Sequence, residues 1–206
     1  MAWTHRCCAA RRCTSTARAP VIDSRAGRET GFLTLSSAEL PSDWVRRWAD
    51  LVTAGPVLDV ASGSGRHAVL FAERGLEVIA VDREPQMIPG VQFVKADIEG
   101  GPWPFAGKRF AAIIVTNYLH RPLFTVLEQS LAENAVLLYE TFMAGNERFG
   151  RPSNPAFLLK PGELLQAFRG LEAIAFEQGY VERPKPAMIQ RLCATRGRAG
   201  TVRIAP

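Results

Sequence analysis

The sequence predicts an α/β fold: a mostly parallel sheet of seven strands, with helices on both faces and an antiparallel last strand. Three observations predict it. Short β-branched runs alternate with amphipathic stretches, the pattern of repeated strand–helix units. The 206 residues, 47% of them hydrophobic, suffice for one well-formed core but are tight for two domains. The two final apolar runs are joined by a link too short for a crossover helix, so they pair antiparallel.

The elements follow in order. Residues 41–52 put Trp44, Val45, Trp48, Leu51 and Val52 at helical spacing, an aromatic stripe that reads as packing rather than a platform for a ligand. Residues 56–60 form a first core strand, and 66–73 the helix after it. The second strand spans 76–81. A short stretch, 83–90, separates it from the third at 91–95. The fourth strand covers 110–115, followed by a helix over about 122–132 and a fifth strand at 135–140. A long loop rich in Gly, Asn and Pro then leads to a helix at 161–168. Runs at 171–176 and 187–194, joined by the link 179–186, close the sheet.

Composition narrows the functional classes. Residues 1–30 hold six arginines against Asp23 and Glu29, so most of the net charge of +5 belongs to one end. The remainder is nearly neutral, which argues against a nucleic-acid partner. No apolar run approaches the roughly 18 residues of a membrane span, so no membrane partner is expected. Cys7, Cys8 and Cys13 crowd the arginine-rich end and Cys193 stands alone, which is no disulfide framework. With His5 the three match no common zinc spacing, and no metal is expected. The end lacks the apolar core of a secretory signal. It reads as a basic leader at 1–30, with an organellar transit peptide as the competing reading. The folded domain is then 31–196, with a tail at 197–206 and a reducing, cytoplasmic location.

The strongest local signal is Val57-Leu-Asp-Val-Ala-Ser-Gly-Ser-Gly-Arg-His67, a buried strand running into a glycine turn that opens a helix. Gly63 and Gly65 allow positive φ and close approach of a ligand. The helix N-terminus after them offers free N–H groups. Asp82 ends the second strand, where a carboxylate accepts from both hydroxyls of a ribose, and Asp97 ends the third, where the acid or its neighbouring backbone meets an adenine amine. Each lies at the carboxyl edge, where open α/β sheets bind ligands.

These residues resemble the class I S-adenosylmethionine-dependent methyltransferases, a Rossmann-like family. The first motif, acid–apolar–Gly–x–Gly–x–Gly, matches Asp59-Val-Ala-Ser-Gly-Ser-Gly65, with Ala61 in place of the first glycine. The second acid matches Asp82 and the third motif Ala96-Asp97-Ile98. The stretches 115–124 and 139–155 are similar to a small bacterial subgroup of the family. The interval from Asp82 to Asp97 is short, leaving about one turn of the usual second helix. The resemblance implies S-adenosylmethionine as cofactor, held by Asp59, Ala61, Gly63, Gly65, His67, Asp82, Arg83, Asp97, Ile98 and Asn117. A dinucleotide is the rival ligand, because Gly63-Ser-Gly-Arg-His-Ala68 also satisfies G-x-G-x-x-G/A. A buried Asp59 opposes a pyrophosphate and suits the ammonium of a methionine moiety. A cofactor-binding module without catalysis is the other alternative.

Asn117, Tyr118, His120 and Arg121 follow the fourth strand, in the family's usual place for acceptor contacts. Asn117 and Tyr118 can aim a polar acceptor, and His120 can take a proton near neutral pH. The Asn/Asp-Pro-Pro-aromatic motif of nucleic-acid amino-methylating enzymes is replaced by Thr116-Asn-Tyr-Leu, which points to a small-molecule acceptor. The loop 141–160 is too long for a plain connection and is expected to wall the acceptor pocket. Asn146, Arg148, Arg151 and Asn154 are its candidate substrate contacts, the arginines suiting an anionic acceptor.

Overall fold

The computed structural model describes residues 40–197. The expected leader, with His5, Cys7, Cys8 and Cys13, and the tail beyond residue 197 lie outside them. Seven strands form one sheet: β1 (Val57–Val60), β2 (Val78–Asp82), β3 (Gln92–Lys95), β4 (Phe110–Thr116), β5 (Leu131–Phe142), β6 (Glu172–Val181) and β7 (Ala187–Thr195). Their order is β3-β2-β1-β4-β5-β7-β6. The pairings from β3 through β5 are parallel, and β7 pairs antiparallel with both β5 and β6.

Alternation along the strands explains the two layers. Leu58, Val60, Ile79, Val81, Ile113 and Val115 face Leu127 of α3 (Leu123–Ser130) and Leu164 of α4 (Glu163–Ala167). Val57, Val78, Ala80 and Ile114 face the opposite way, onto Trp44 and Trp48 of α1 (Asp43–Trp48) and Phe71 of α2 (Arg66–Ala72). Burial on both faces is what continuous apolar strands require. Trp44 and Trp48 meet edge to face at 5.8 Å and are buried, so their stripe is core.

The boundaries differ from the sequence reading in four places. The first helix is α1 plus a single 3-10 turn, Ala49–Leu51. No helix forms between Asp82 and Gln92 among the described residues, where the resemblance implied a turn. α3 stops at Ser130 because Leu131 is already extended and pairs with Phe110. β6 runs on to Val181, which cuts the link to β7 to residues 182–186. Between β5 and β7 the Arg191 guanidinium Nε donates to buried Glu140 at 2.5 Å.

Candidate active site

Positive φ shapes the turn after β1. Gly63 and Gly65 sit at +53° and +75°, and Ala61 is forced to +51°. A side chain at Gly65 would lie 2.3 Å from the Ile88 Cδ1, so this glycine is needed for packing. At Gly63 a Cβ would meet nothing within 4 Å, so space opens above the turn. The Gly63 N–H donates to Asp82 Oδ2 at 2.8 Å, and the Glu84 N–H to Asp82 Oδ1 at 3.0 Å. Asp82 thus fastens the turn to the end of β2 and keeps further lone pairs for a ligand hydroxyl.

Asp59 lies beneath this turn at 1% exposure. Its Oδ2 accepts from the Ala68 N–H of α2 at 3.0 Å, while Oδ1 is buried without a hydrogen-bond partner among the described residues. Burial pushes its pKa up to about 8, against the Ala68 N–H and Arg66, with Asp82 adding to the rise. At neutral pH the carboxyl keeps its proton in the ligand-free chain; a ligand ammonium beside the orphaned oxygen would favour the ionised form, whereas a pyrophosphate would oppose it. The methionine end of S-adenosylmethionine therefore fits the residues present.

His67, expected at the cofactor, is a bolt in the core. It is 1% exposed, its Nε2 accepts from the Ser42 N–H at 3.1 Å, and its Nδ1 lies 3.3 Å from Thr116 Oγ1. Accepting at Nε2 fixes the neutral tautomer with the proton on Nδ1, donated to Thr116. Burial, with Arg66 nearby, brings its pKa down to about 3. The imidazole joins the start of α1 to the carboxyl end of β4.

Asp97 is exposed and uses Oδ1 to accept from the Glu99 and Gly100 N–H groups, both at 3.0 Å. The Gly100 bond first, then the Glu99 bond, holds its carboxyl below the usual range, with Arg83 and His120 close enough to contribute. Ile98 beside it is buried. The Arg83 side chain stands in solvent near Glu84.

Beyond Asp97 a cleft of about 250 Å³ opens at the ends of β4 and β5. Glu99, Asn117, Tyr118 and Leu119 line one side; Thr141, Phe142, Pro152 and Phe157 line the other. Asn117 has a φ of 55°, tolerable for Asn, and its N–H donates to the Glu140 carbonyl at 2.9 Å. The Tyr118 hydroxyl is buried without a hydrogen-bond partner among the described residues. Burial raises its pKa, and Glu99, then Asp97 and Asp82, raise it further. A smaller hollow of about 90 Å³ lies along β6 and β7, at the far edge of the sheet from the glycine turn.

The loop 141–160 does wall the cleft, but through Pro152 and Phe157 rather than the residues expected. Asn146 is 2% exposed and spends its amide tying the loop to itself and to β7: Nδ2 donates to the Pro152 carbonyl at 2.9 Å and Oδ1 accepts from the Met188 N–H at 3.1 Å. Asn154 caps a 3-10 turn through the Ala156 N–H. Arg148 bends back to the Gly145 carbonyl and lies over Phe149. Arg151 is exposed and absent from the lining. Arg121 is the clamp: it grips Glu163 at 2.6 and 3.0 Å and donates to the Ala156 and Leu158 carbonyls at 2.7 and 2.8 Å. The Glu163 bond raises its pKa. Glu99, Phe142, Pro152 and Phe157 carry no motif; only the loop's length pointed to part of this wall.

A methyltransferase-domain family model matches residues 57–139, from the start of β1 into β5. No curated protein matches the chain. Among solved structures, TehB from Haemophilus influenzae superposes with a TM-score of 0.61 at 14% identity, over 74% of this chain and 61% of that one. The chain thus spans less than two thirds of that protein's length. The Burkholderia thailandensis 1,6-didemethyltoxoflavin-N1-methyltransferase, solved with 1,6-didemethyltoxoflavin and S-adenosylhomocysteine, gives 0.56 at 18% identity over 79% and 80%. The [4+2]-cyclase SpnF gives 0.56 at 14% identity over 75% and 79%. At such identities the likeness is one of fold. Among the described residues no helix is long and apolar enough to cross a membrane.

Proposed function

We propose that this chain, with its methyltransferase domain and its fold, is a class I S-adenosylmethionine-dependent methyltransferase that methylates a small molecule held in the cleft beside Asn117. The observation that carries the proposal is the orphaned Asp59 oxygen of β1 under the open Gly63 turn, with the cleft walled by the loop 141–160 at the end of the adjacent strand β4. When bound, S-adenosylmethionine supplies a methyl group on a sulfonium, already activated for transfer to a nucleophile. The chain's own residues then have mostly to bind and orient.

Asp59 takes the ligand ammonium, Asp82 the ribose hydroxyls, and Ile98 with the backbone beside Asp97 the adenine. Ala61 and Gly65 shape the turn that lets Gly63 approach, while Arg83 borders the site from solvent. Asn117 and Tyr118 aim the acceptor, which alone is worth on the order of 7–11 kcal/mol in a two-reactant step. His120, on the same loop, takes a proton where the acceptor must lose one. The substrate contacts expected at Asn146, Arg148, Arg151 and Asn154 pass to Glu99, Phe142 and Phe157; Asn146 and Asn154 keep the wall in shape. No nucleic acid is needed as a partner.

Two measurements test this. Calorimetry should show S-adenosylhomocysteine binding and NAD failing to bind; NAD binding more tightly would defeat the cofactor assignment. Release of S-adenosylhomocysteine should then depend on a small-molecule acceptor. Tight cofactor binding with no turnover across a broad acceptor panel would favour a binding module, or chemistry of another kind on this fold.

A further inference from the structure

The acceptor's chemistry can be read from what surrounds the cleft. We infer that it takes an uncharged or cationic aromatic acceptor bearing a hydrogen-bond donor on its ring edge, and that it turns anions away. This rests on the methyltransferase reading for the word acceptor, but the ligand preference is a property of the cleft alone.

The walls are flat and apolar: Phe142, Pro152 and Phe157. Phe157 is 52% exposed at the lip, whereas Phe149, the loop's other exposed Phe, already packs on Tyr180 at 5.1 Å. A half-open ring beside the partly buried Phe142 makes a slot for a planar ligand. A volume of about 250 Å³ lies below the ~300–1,000 Å³ typical of sites for drug-sized ligands, so one or two fused rings suit it.

Among the described residues the lining has one charged side chain, the acid Glu99, beside the neutral polar groups of Asn117, Tyr118 and Thr141. Glu99 presents a carboxylate, and the buried Tyr118 hydroxyl lies close enough to Glu99, Asp97 and Asp82 to feel all three. No Lys or Arg belongs to the lining among the described residues. The loop's cations are directed elsewhere: Arg121 into Glu163 and two carbonyls, Arg148 over Phe149. Arg83 and His120 approach at Asp97. An anion in the slot would face a carboxylate with no compensating cation, and like-charge contacts are strongly disfavoured. An N–H or O–H on the ring edge instead finds an acceptor in Glu99. The anionic acceptor that Arg148 and Arg151 suggested from the sequence is thereby replaced.

The test uses ring-matched pairs, indole with indole carboxylate and aminoquinoline with quinoline carboxylate. Each is titrated by calorimetry and ligand-observed NMR into the full chain, with and without saturating S-adenosylhomocysteine. The uncharged or amino member of each pair should bind at least about tenfold more tightly, with the gap widening at low salt. Glu99→Gln should close most of that gap while S-adenosylhomocysteine affinity stays within about twofold, because the Asp97 contacts come from the Glu99 backbone. Phe157→Ala should weaken both members together. Carboxylates that bind as well as their partners, or no aromatic binding in either state, would overturn the inference. Failure to bind S-adenosylhomocysteine would instead overturn the methyltransferase reading, and the pairs run on the ligand-free chain would still decide the slot's preference.

Discussion

Asp59→Asn separates the needs of the fold from those of the ligand. In the ligand-free chain burial pushes the Asp59 carboxyl up to about 8, from an ordinary value of about 3.8. A folded-state pKa raised in this way gives stability that is fully present below about 3.8 and lost as pH rises through about 8. At pH 7 the folded state retains a proton the unfolded chain has released, which at about 1.4 kcal/mol per unit costs roughly 4 kcal/mol. Asparagine still accepts from the Ala68 N–H and has no charge to lose, but its amide NH₂ takes over the orphaned position at a cost of about 1–3 kcal/mol. The net expectation is a variant more stable than wild type by about 1–3 kcal/mol at pH 7, several degrees in Tm, with the advantage growing toward pH 8 and reversing toward pH 4. Affinity for S-adenosylhomocysteine should fall about 10- to 100-fold, the worth of a charge-assisted bond. Thermal melts of both proteins at pH 4, 6 and 8, with and without S-adenosylhomocysteine, read all of this. A Tm difference that does not change with pH, or a wild type that is the more stable at pH 8, would refute the argument.

Ala61→Gly should relieve a left-handed alanine worth about 1–2 kcal/mol, offset by about 0.4–1 kcal/mol of unfolded-state entropy, for a small gain in denaturant midpoint. Gly65→Ala should lose at least about 1–3 kcal/mol in the same assay, since its new methyl meets Ile88 at positive φ. The depressed pKa of His67, about 3, means stability that is intact above pH 6.5 and drains as pH falls toward 3. His67→Asn should therefore be the weaker protein at pH 7.5 yet lose less on acidification to pH 4.5; parallel denaturation curves would count against the bolt. Arg121→Met should loosen the cleft wall, raising hydrogen exchange at Ala156 and Leu158 and lowering turnover, with S-adenosylhomocysteine affinity near wild type.

What was legible in the sequence is what repeats along it. Val57, Leu58 and Val60, or Phe110 through Val115, announce strands because alternate residues serve two buried layers. Asp59, Asp82 and Asp97 were visible because each is an acid in or at the carboxyl end of such a run. What escaped depends on pairs far apart in the chain: Arg121 with Glu163, Asn146 with Met188, His67 with Ser42. A polar side chain that closes a loop and one that greets a ligand look alike until the partner is known. That is why Asn146 read as a substrate contact and Glu99 did not register. The helix implied after Asp82 failed for a plainer reason: Asp82 and Gln92 leave little chain, and Pro85 and Pro89 cannot donate to a helix.

The place of β7 fixes an order of assembly. It is the last of the described strands in chain order, yet it sits inside the sheet, between β5 and β6. Until residues 187–195 arrive, β5 shows a bare edge from Val136 to Phe142, β6 has no neighbour among the described strands, and Glu140 lacks the cation it is buried with. A nascent or clipped chain that stops short of Ala187 therefore offers two adhesive strand edges and an uncompensated carboxylate. Closing this half of the molecule is a single late insertion across contacts distant in sequence, the slowest class of step in folding a sheet. The half that carries the glycine turn has no such debt, since β1 through β4 pair among themselves before the chain is finished.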